Sequence, residues 1–305
     1  MLQLTMYTIP SVPLEAECVR PDVLCSLSEE EVLRQKVLYG NREEKLGEFF
    51  RLSGSGESGE VHVEGELGKV KWLGARMRAG RLVIHGSPGM HLGSEMRGGA
   101  IEVFGNVGDW LGAEMRGGLI HVHGDAGHLV GAAYRGSRAG MRGGVILVEG
   151  NAGFEIGHGI RRGLIAIGGD VGDFCGVNAI AGTIVVFGRV GWRVGAGLKR
   201  GSVVLLDPTS GFSPLPTFRQ NGVCELVWLR VLARQLAQWR FAPRALTAQN
   251  AGQSPAGETG QYEGSVATGD NDTRTRLLAR FQGRFRRYCG DFAELPKGEI
   301  LVRAL

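Results

Sequence analysis

His121 and His123 are two imidazoles separated by one residue, a spacing that in an extended strand sets both on one face, where a third donor could complete a zinc site. A nineteen-residue register described below aligns the pair with Glu102 and Phe104 on one side and with Leu147 and Glu149 on the other. The nearest aligned histidine is His85, two repeats away, so no bound metal is expected. His91, His128 and His158 fall in or near turns and read as exposed turn residues. Glycine runs such as Gly195-Ala196-Gly197 spell fragments of GxGxxG, yet none stands between a strand and a helix, as a dinucleotide site requires. Ser53-Gly54-Ser55-Gly56 lacks the lysine of a phosphate loop. No Ser, Cys or Asp has a credible base beside it, and no catalytic residue is expected.

The strongest surface pattern is basic. Arg78, Arg97, Arg116, Arg142 and Arg161 recur in the same register, interrupted at Ile180 and resumed by Lys199. If repeats stack about 5 Å apart, like charges in such a column repel, and anions are needed near them. Glu95 and Glu114 occupy an adjacent column and can neutralise two rungs. The alternatives are a solvated face partly paired with glutamates, or a docking surface for an acidic partner or a polyanionic cofactor tail.

That register comes from glycine. Of 51 glycines in 305 residues, 39 lie between Gly54 and Gly201. The segments RLVIHG, AIEVFG, LIHVHG, VILVEG, LIAIGG and TIVVFG end at Gly86, Gly105, Gly124, Gly150, Gly169 and Gly188, at intervals of 19, 19, 26, 19 and 19. The long interval contains an insertion within Ala132 to Ala139. VHVEG, ending at Gly65, and SVVLLD, ending at Asp207, bring the units to eight. Pairs such as Ile101/Val103, Ile120/Val122 and Ile165/Ile167 alternate at period two, which predicts strands. A fixed short period predicts an all-β solenoid, a right-handed parallel β-helix of about eight coils and roughly 35 Å long, with short flanking helices. Glycine suits its corners, where φ is positive or backbones approach closely. Ser87, Asn106, Asp125, Asn151 and Asp170 read as residues that tolerate such turns. The column Met77, Met96, Met115, Met141, Ile160, Ala179 and Leu198 is placed inside.

The predicted organisation is a capping segment over 1–53, the glycine-rich repeats over 54–210, a capping helix within 211–242, a flexible linker over 243–272 and a basic segment over 273–305. Ser28 to Glu31 reads as a capping box before a short helix, and Leu226, Leu229, Ala233 and Leu236 predict another across about Cys224 to Arg240. A basic helix is expected from Arg274 through Arg287. Outward strand positions drift from Glu60, His62 and Glu64 to Val185, Phe187, Val204 and Leu206, a face either covered by the C-terminal segment or used as an interface. Five scattered cysteines without CxxC suggest neither disulfides nor a metal cluster, and a reducing cytoplasm. No signal peptide or membrane span is evident, and a net charge of +4 without a basic motif does not suggest nucleic acid.

The pattern M-R-G-G-x-I-x-V-x-G-x-x-G-x-x-x-G, running from Met96 to Gly112, resembles the C subunit of formylmethanofuran dehydrogenases. Outside the repeats, Leu14 to Cys18, Gly40-Asn41-Arg42, Leu46 to Phe50, Pro216 to Arg219 and Arg286 to Asp291 are similar to that family's terminal segments. The resemblance implies a scaffold subunit beside A-, B- and D-type partners. Their complex uses methanofuran and tetrahydromethanopterin, with metals and catalytic groups on other chains, and none of these cofactors is expected on this chain. Two settings fit: a bacterial formyltransferase/hydrolase, taking formyl-tetrahydromethanopterin to formate through formylmethanofuran, or an archaeal tungsten or molybdenum dehydrogenase. The bias of 29 Arg to 6 Lys favours the bacterial one. A glutamate synthase-like β-helix carries a similar glycine pattern and stands as a further alternative.

Overall fold

The computed structural model describes residues 1–207, 209–247, 270–294 and 297–304. In chain order its elements are β1 (Leu2–Met6), β2 (Leu14–Glu15), α1 (Pro21–Leu24), α2 (Glu29–Leu33), β3 (Lys36–Tyr39), β4 (Arg42–Lys45), β5 (Phe50–Gly54), β6 (Glu60–Glu64) and β7 (Val70–Lys71). The glycine-rich part gives β8 (Arg81–His85), β9 (Ala100–Phe104), β10 (Leu119–Val122), β11 (Arg142–Val148), β12 (Arg162–Ile167), β13 (Thr183–Val186) and β14 (Arg200–Leu205). The remainder gives β15 (Arg219–Cys224), α3 (Val227–Gln238), α4 (Arg244–Thr247), α5 (Asp270–Arg280), β16 (Phe285–Gly290) and β17 (Lys297–Arg303).

Strand pairing forms one 13-stranded sheet, ordered β15-β16-β17-β14-β13-β12-β11-β10-β9-β8-β6-β1-β5, and a four-stranded sheet, β4-β3-β2-β7. This corrects the expected β-helical solenoid with helical flanks: the architecture is a large mixed sheet, parallel through its middle, with a small second sheet and few helices. A repeat in the sequence reports the spacing of like strands and turns, which a long parallel sheet satisfies. It does not report the strands that non-repeating segments add. Here β5 pairs antiparallel with β1 at one edge, and β15 and β16 are antiparallel additions at the other. Between them β6 and β8 through β14 pair in parallel, Ile101 opposite Ile120 and Ile120 opposite Ile146.

The connections between successive strands also stack. Val107, Ala126, Ala152, Val171 and Val190 form a row of parallel bridges. Gly112 N–H donates to the Leu92 carbonyl (2.8 Å) and Gly131 N–H to that of Leu111 (2.8 Å). One core lies between the sheet and these connections; Met77, Met96, Met115, Met141, Ile160, Ala179 and Leu198 are all buried in it. A second core covers the opposite face, where Leu147, Leu164, Ala166, Val185, Phe187, Val204 and Leu206 pack against Leu229, Ala233 and Leu236 of α3, Leu277 of α5 and Phe281 just after it. The C-terminal segment therefore covers the apolar outer face, and α3 lies across strands.

The flanks hold more strand than their sequence suggests. The Ser28 capping box forms, but its helix stops at Leu33, and Val37 and Leu38 belong to β3. Arg286 and Arg287 lie in β16, because the basic helix ends at Arg280. Within the expected linker, residues 244–247 and 270–272 are helical and 248–269 lie outside the described residues.

Candidate functional site: a basic column and a histidine-glutamate cluster

Each ladder arginine from Arg97 onward follows a buried Met or Ile and is tied by its backbone to the preceding repeat. Arg97 N–H donates to the Met77 carbonyl (2.8 Å), Arg116 N–H to that of Met96 (2.7 Å), and Arg161 N–H to that of Met141 (2.8 Å). Alternation with the buried column turns the five side chains outward, and Arg78, Arg97, Arg116, Arg142 and Arg161 are all exposed. Arg116 lies 3.9 Å from Glu95, which also meets Arg76 at 3.4 Å. Glu114 instead accepts from the Tyr134 backbone N–H (3.3 Å). Among the described residues Arg78, Arg97, Arg142 and Arg161 have no ion pair. Pairing with glutamate thus reaches one rung of five.

On the outer face, Glu102 of β9 is directly opposite His121 of β10, which in turn is opposite Leu147 of β11. His123 and Glu149 lie two residues further along their chains, held by N–H donation from His123 to the Val103 carbonyl (3.0 Å) and from Glu149 to that of Val122 (2.9 Å). The side chains converge on one another. His121 Nε2 is 3.0 Å from Glu149 Oε1, His123 Nε2 is 3.2 Å from Glu102 Oε1, and His123 Nδ1 is 3.2 Å from Glu149 Oε2. Arg81 holds the other oxygen of Glu102.

The cluster sits where the polar part of this face passes beneath the C-terminal segment. Phe104 stacks on His123 at 4.7 Å, Phe241 lies 6.3 Å from His121, and Ala242 N–H donates to Glu149 Oε1 (3.2 Å). Burial opposes a charge on His123, but its hydrogen bonds to Glu102 and Glu149 together outweigh that and hold its pKa up at about 9. Glu102 is pulled down to about 2, chiefly by its hydrogen bond to His123, with Arg81 adding to the effect against burial. Burial raises Glu149, yet its bonds to His121 and His123 leave it below the ordinary carboxylate range. Without a metal, an imidazolium between two carboxylates is therefore the stable form.

Looking for a third histidine misses this cluster, because the neighbours that matter are carboxylates on adjacent strands. The nineteen-residue register aligns both of them with the histidine pair. His158 likewise has a carboxylate companion, Glu155 at 2.8 Å, and His91 lies half-buried between Trp72 and Trp110 with its Nδ1 2.9 Å from the Tyr134 hydroxyl.

No protein-family model matches the chain. It is 42% identical over 82 residues to the C subunit of the molybdenum-containing formylmethanofuran dehydrogenase 1 of Methanothermobacter marburgensis, a stretch covering 27% of this chain and 20% of that protein. It is 38% identical over 93 residues to the C subunit of the tungsten-containing formylmethanofuran dehydrogenase 2 of Methanothermobacter wolfeii, covering 29% and 34%. The chain thus matches about a third or less of the length of these relatives. Its structure superposes with a TM-score of 0.82 and 30% identity on a chain of the formyltransferase/hydrolase complex from Methylorubrum extorquens, solved with methylofuran, covering 99% of this chain and 100% of that one. With likeness running end to end in that comparison and shorter stretches shared with the dehydrogenase C subunits, the chain belongs to the family of formylmethanofuran dehydrogenase C subunits.

Proposed function

We propose that this chain is the structural C subunit of a cytoplasmic formyltransferase/hydrolase complex, which converts formyl-tetrahydromethanopterin to formate through formylmethanofuran. The observation that carries this reading is the full-length match, at 30% identity, to a chain of a solved formyltransferase/hydrolase complex. The dehydrogenase relatives match over much shorter stretches, which favours the hydrolase setting. In this reading A-, B- and D-type subunits supply the catalytic groups and their metals, and this chain holds them in place. Its five cysteines are all free, which suits a reducing compartment, and among the described residues no helix is long and apolar enough to cross a membrane.

The surface assigned to docking is the column Arg78, Arg97, Arg116, Arg142 and Arg161. Four of its five guanidinium groups, Arg78 and Arg97 on one side of Arg116 and Arg142 and Arg161 on the other, have no ion pair among the described residues and offer bidentate donors to carboxylates, whether on a partner or on a polyanionic cofactor tail. Co-expression with A-, B- and D-type subunits tests it. Arg97→Glu/Arg116→Glu should lower recovery of the assembled complex about tenfold, as charge reversal at an interface does, while leaving the melting temperature of the isolated chain unchanged. Undiminished co-purification would remove the column from the interface, and failure of the wild type to co-purify would remove the complex itself.

A further inference from the structure

We propose that Glu102, His121 and His123 form a divalent-metal site suited to zinc, with Glu149 behind them as the carboxylate that orients His123. The donor atoms of Glu102, His121 and His123 lie within 4.8 Å of one another. Tetrahedral zinc bonded at about 2.0–2.1 Å separates its ligand atoms by roughly 3.3 Å. The His123–Glu102 contact, at 3.2 Å, already has that separation, so closure on an ion needs only a turn of His121 toward the other two. Glu102 and His121 face each other on paired neighbouring strands, and His123, directly after the end of β10, is tied by its N–H to the Val103 carbonyl (3.0 Å).

The outer contacts fit as well. Arg81 occupies one oxygen of Glu102 and leaves Oε1, the one facing His123, to face an ion. Glu149 Oε2 meets His123 Nδ1 at 3.2 Å, the carboxylate–imidazole arrangement that fixes the ring of a metal-bound histidine. Two imidazoles and a carboxylate without thiolate suit zinc, and the fourth position opens toward partly exposed Glu102 and His123.

Packing alone gives no reason for these residues. The column containing Glu102 and His121 continues as Leu147, Ala166, Val185 and Val204, which pack against the C-terminal segment with no polar group. A partly buried charged network is commonly no more stable than apolar side chains of similar volume, so its presence calls for a ligand.

The test uses the full-length chain, stripped with chelator and titrated with zinc chloride. Wild type should take up one zinc per chain that survives gel filtration, and its melting temperature should rise with zinc. Glu102→Gln/His121→Gln/His123→Gln should lose both responses while keeping the wild-type circular dichroism. Should that variant fail to fold, X-ray absorption of zinc-loaded wild type decides, with two imidazoles and carboxylate oxygen expected at about 2.0–2.1 Å. Substoichiometric zinc, equal uptake by the folded variant, or sulfur in the coordination shell from a free cysteine would each overturn the site.

Discussion

Gly105 and Gly112 hold the same fold together for different reasons. Gly112 has φ +58°, and a Cβ there would stand 2.5 Å from Ile146 Cδ1. Gly105 has no unusual φ, but its Cβ would drive into the carbonyl group of Gly86 in the preceding repeat, 2.7 Å from the carbon. Gly136 has φ +85° and open space around it. Gly105→Ala should therefore cost about 3 kcal/mol through overpacking against backbone, and Gly136→Ala only about 1 kcal/mol through backbone strain. Urea midpoints compare them, and equal losses would refute the steric account. Spacing revealed that glycine was needed at each column without separating the two needs. It also misassigned Asn106, Asp125, Asn151 and Asp170, none of which has positive φ. Instead, Asn106 Oδ1 accepts from Asp125 N–H (2.8 Å), Asp125 Oδ1 from Asn151 N–H (2.7 Å), and Asn151 Oδ1 from Asp170 N–H (2.8 Å). Apart from Asn178 and His91, the non-glycine left-handed positions fall at residues such as Trp72, Trp110, Leu129 and Phe174, types that carry no such signal.

At the scale of elements, the insertion in the 26-residue interval acts as a clamp. Its Tyr134 reaches back two repeats, where the hydroxyl donates to Ser94 Oγ (2.9 Å), lies 2.9 Å from His91 Nδ1, and the ring stacks on Trp110 at 4.9 Å. Burial pushes its pKa up to about 12, so it remains a phenol donor. Tyr134→Phe keeps the stacking and leaves Ser94 without its donor, a loss of about 1–2 kcal/mol in denaturant melts. The capping box of α2 makes a second case. Ser28 N–H donates to Glu31 (2.9 Å), and this bond, with that of the Ser28 hydroxyl, holds the Glu31 carboxyl below its ordinary range. A carboxyl whose folded pKa is depressed stabilises the fold above its unfolded value, about 4.3, and that contribution disappears as pH falls through the folded value. The melting difference between wild type and Glu31→Gln should thus be present near neutral pH and vanish in acid; a constant difference would count against it. The box was legible from Ser28 and Glu31 alone. The strand β3 directly after it was not, because Val37 and Leu38 continue a helical spacing that pairing with β2 and β4 overrides.

The whole molecule is organised by a gradient across the outer face of its large sheet. Glu60, His62 and Glu64 begin it, the Glu102–His121–His123 cluster stands midway, and Val185, Phe187, Val204 and Leu206 end it beneath α3 and α5. The sequence displayed this drift because register fixes which residues share a column, but it left open what covers the apolar end, since α3 and α5 lie far along the chain. Edges were equally hidden. The last repeat strand, β14, is not an edge, because β17 pairs with it in parallel and β16 and β15 follow antiparallel. The outermost strand, β15, is polar and almost wholly exposed, which discourages pairing with another chain. A chain ended after Asp207 would keep every repeat and lose both protections, uncovering Leu147, Leu164, Val185, Phe187, Val204 and Leu206 together with the open hydrogen-bonding edge of β14. Uncovered apolar faces and open parallel edges associate, so this truncation should appear in aggregates on gel filtration. Replacing Val185, Phe187, Val204 and Leu206 with Thr or Lys in the truncated chain should restore part of the monomer, since it removes the apolar face but not the edge. A truncated chain that ran as a monomer without those changes would mean that the repeats bury their own faces and that the C-terminal third serves only the partners.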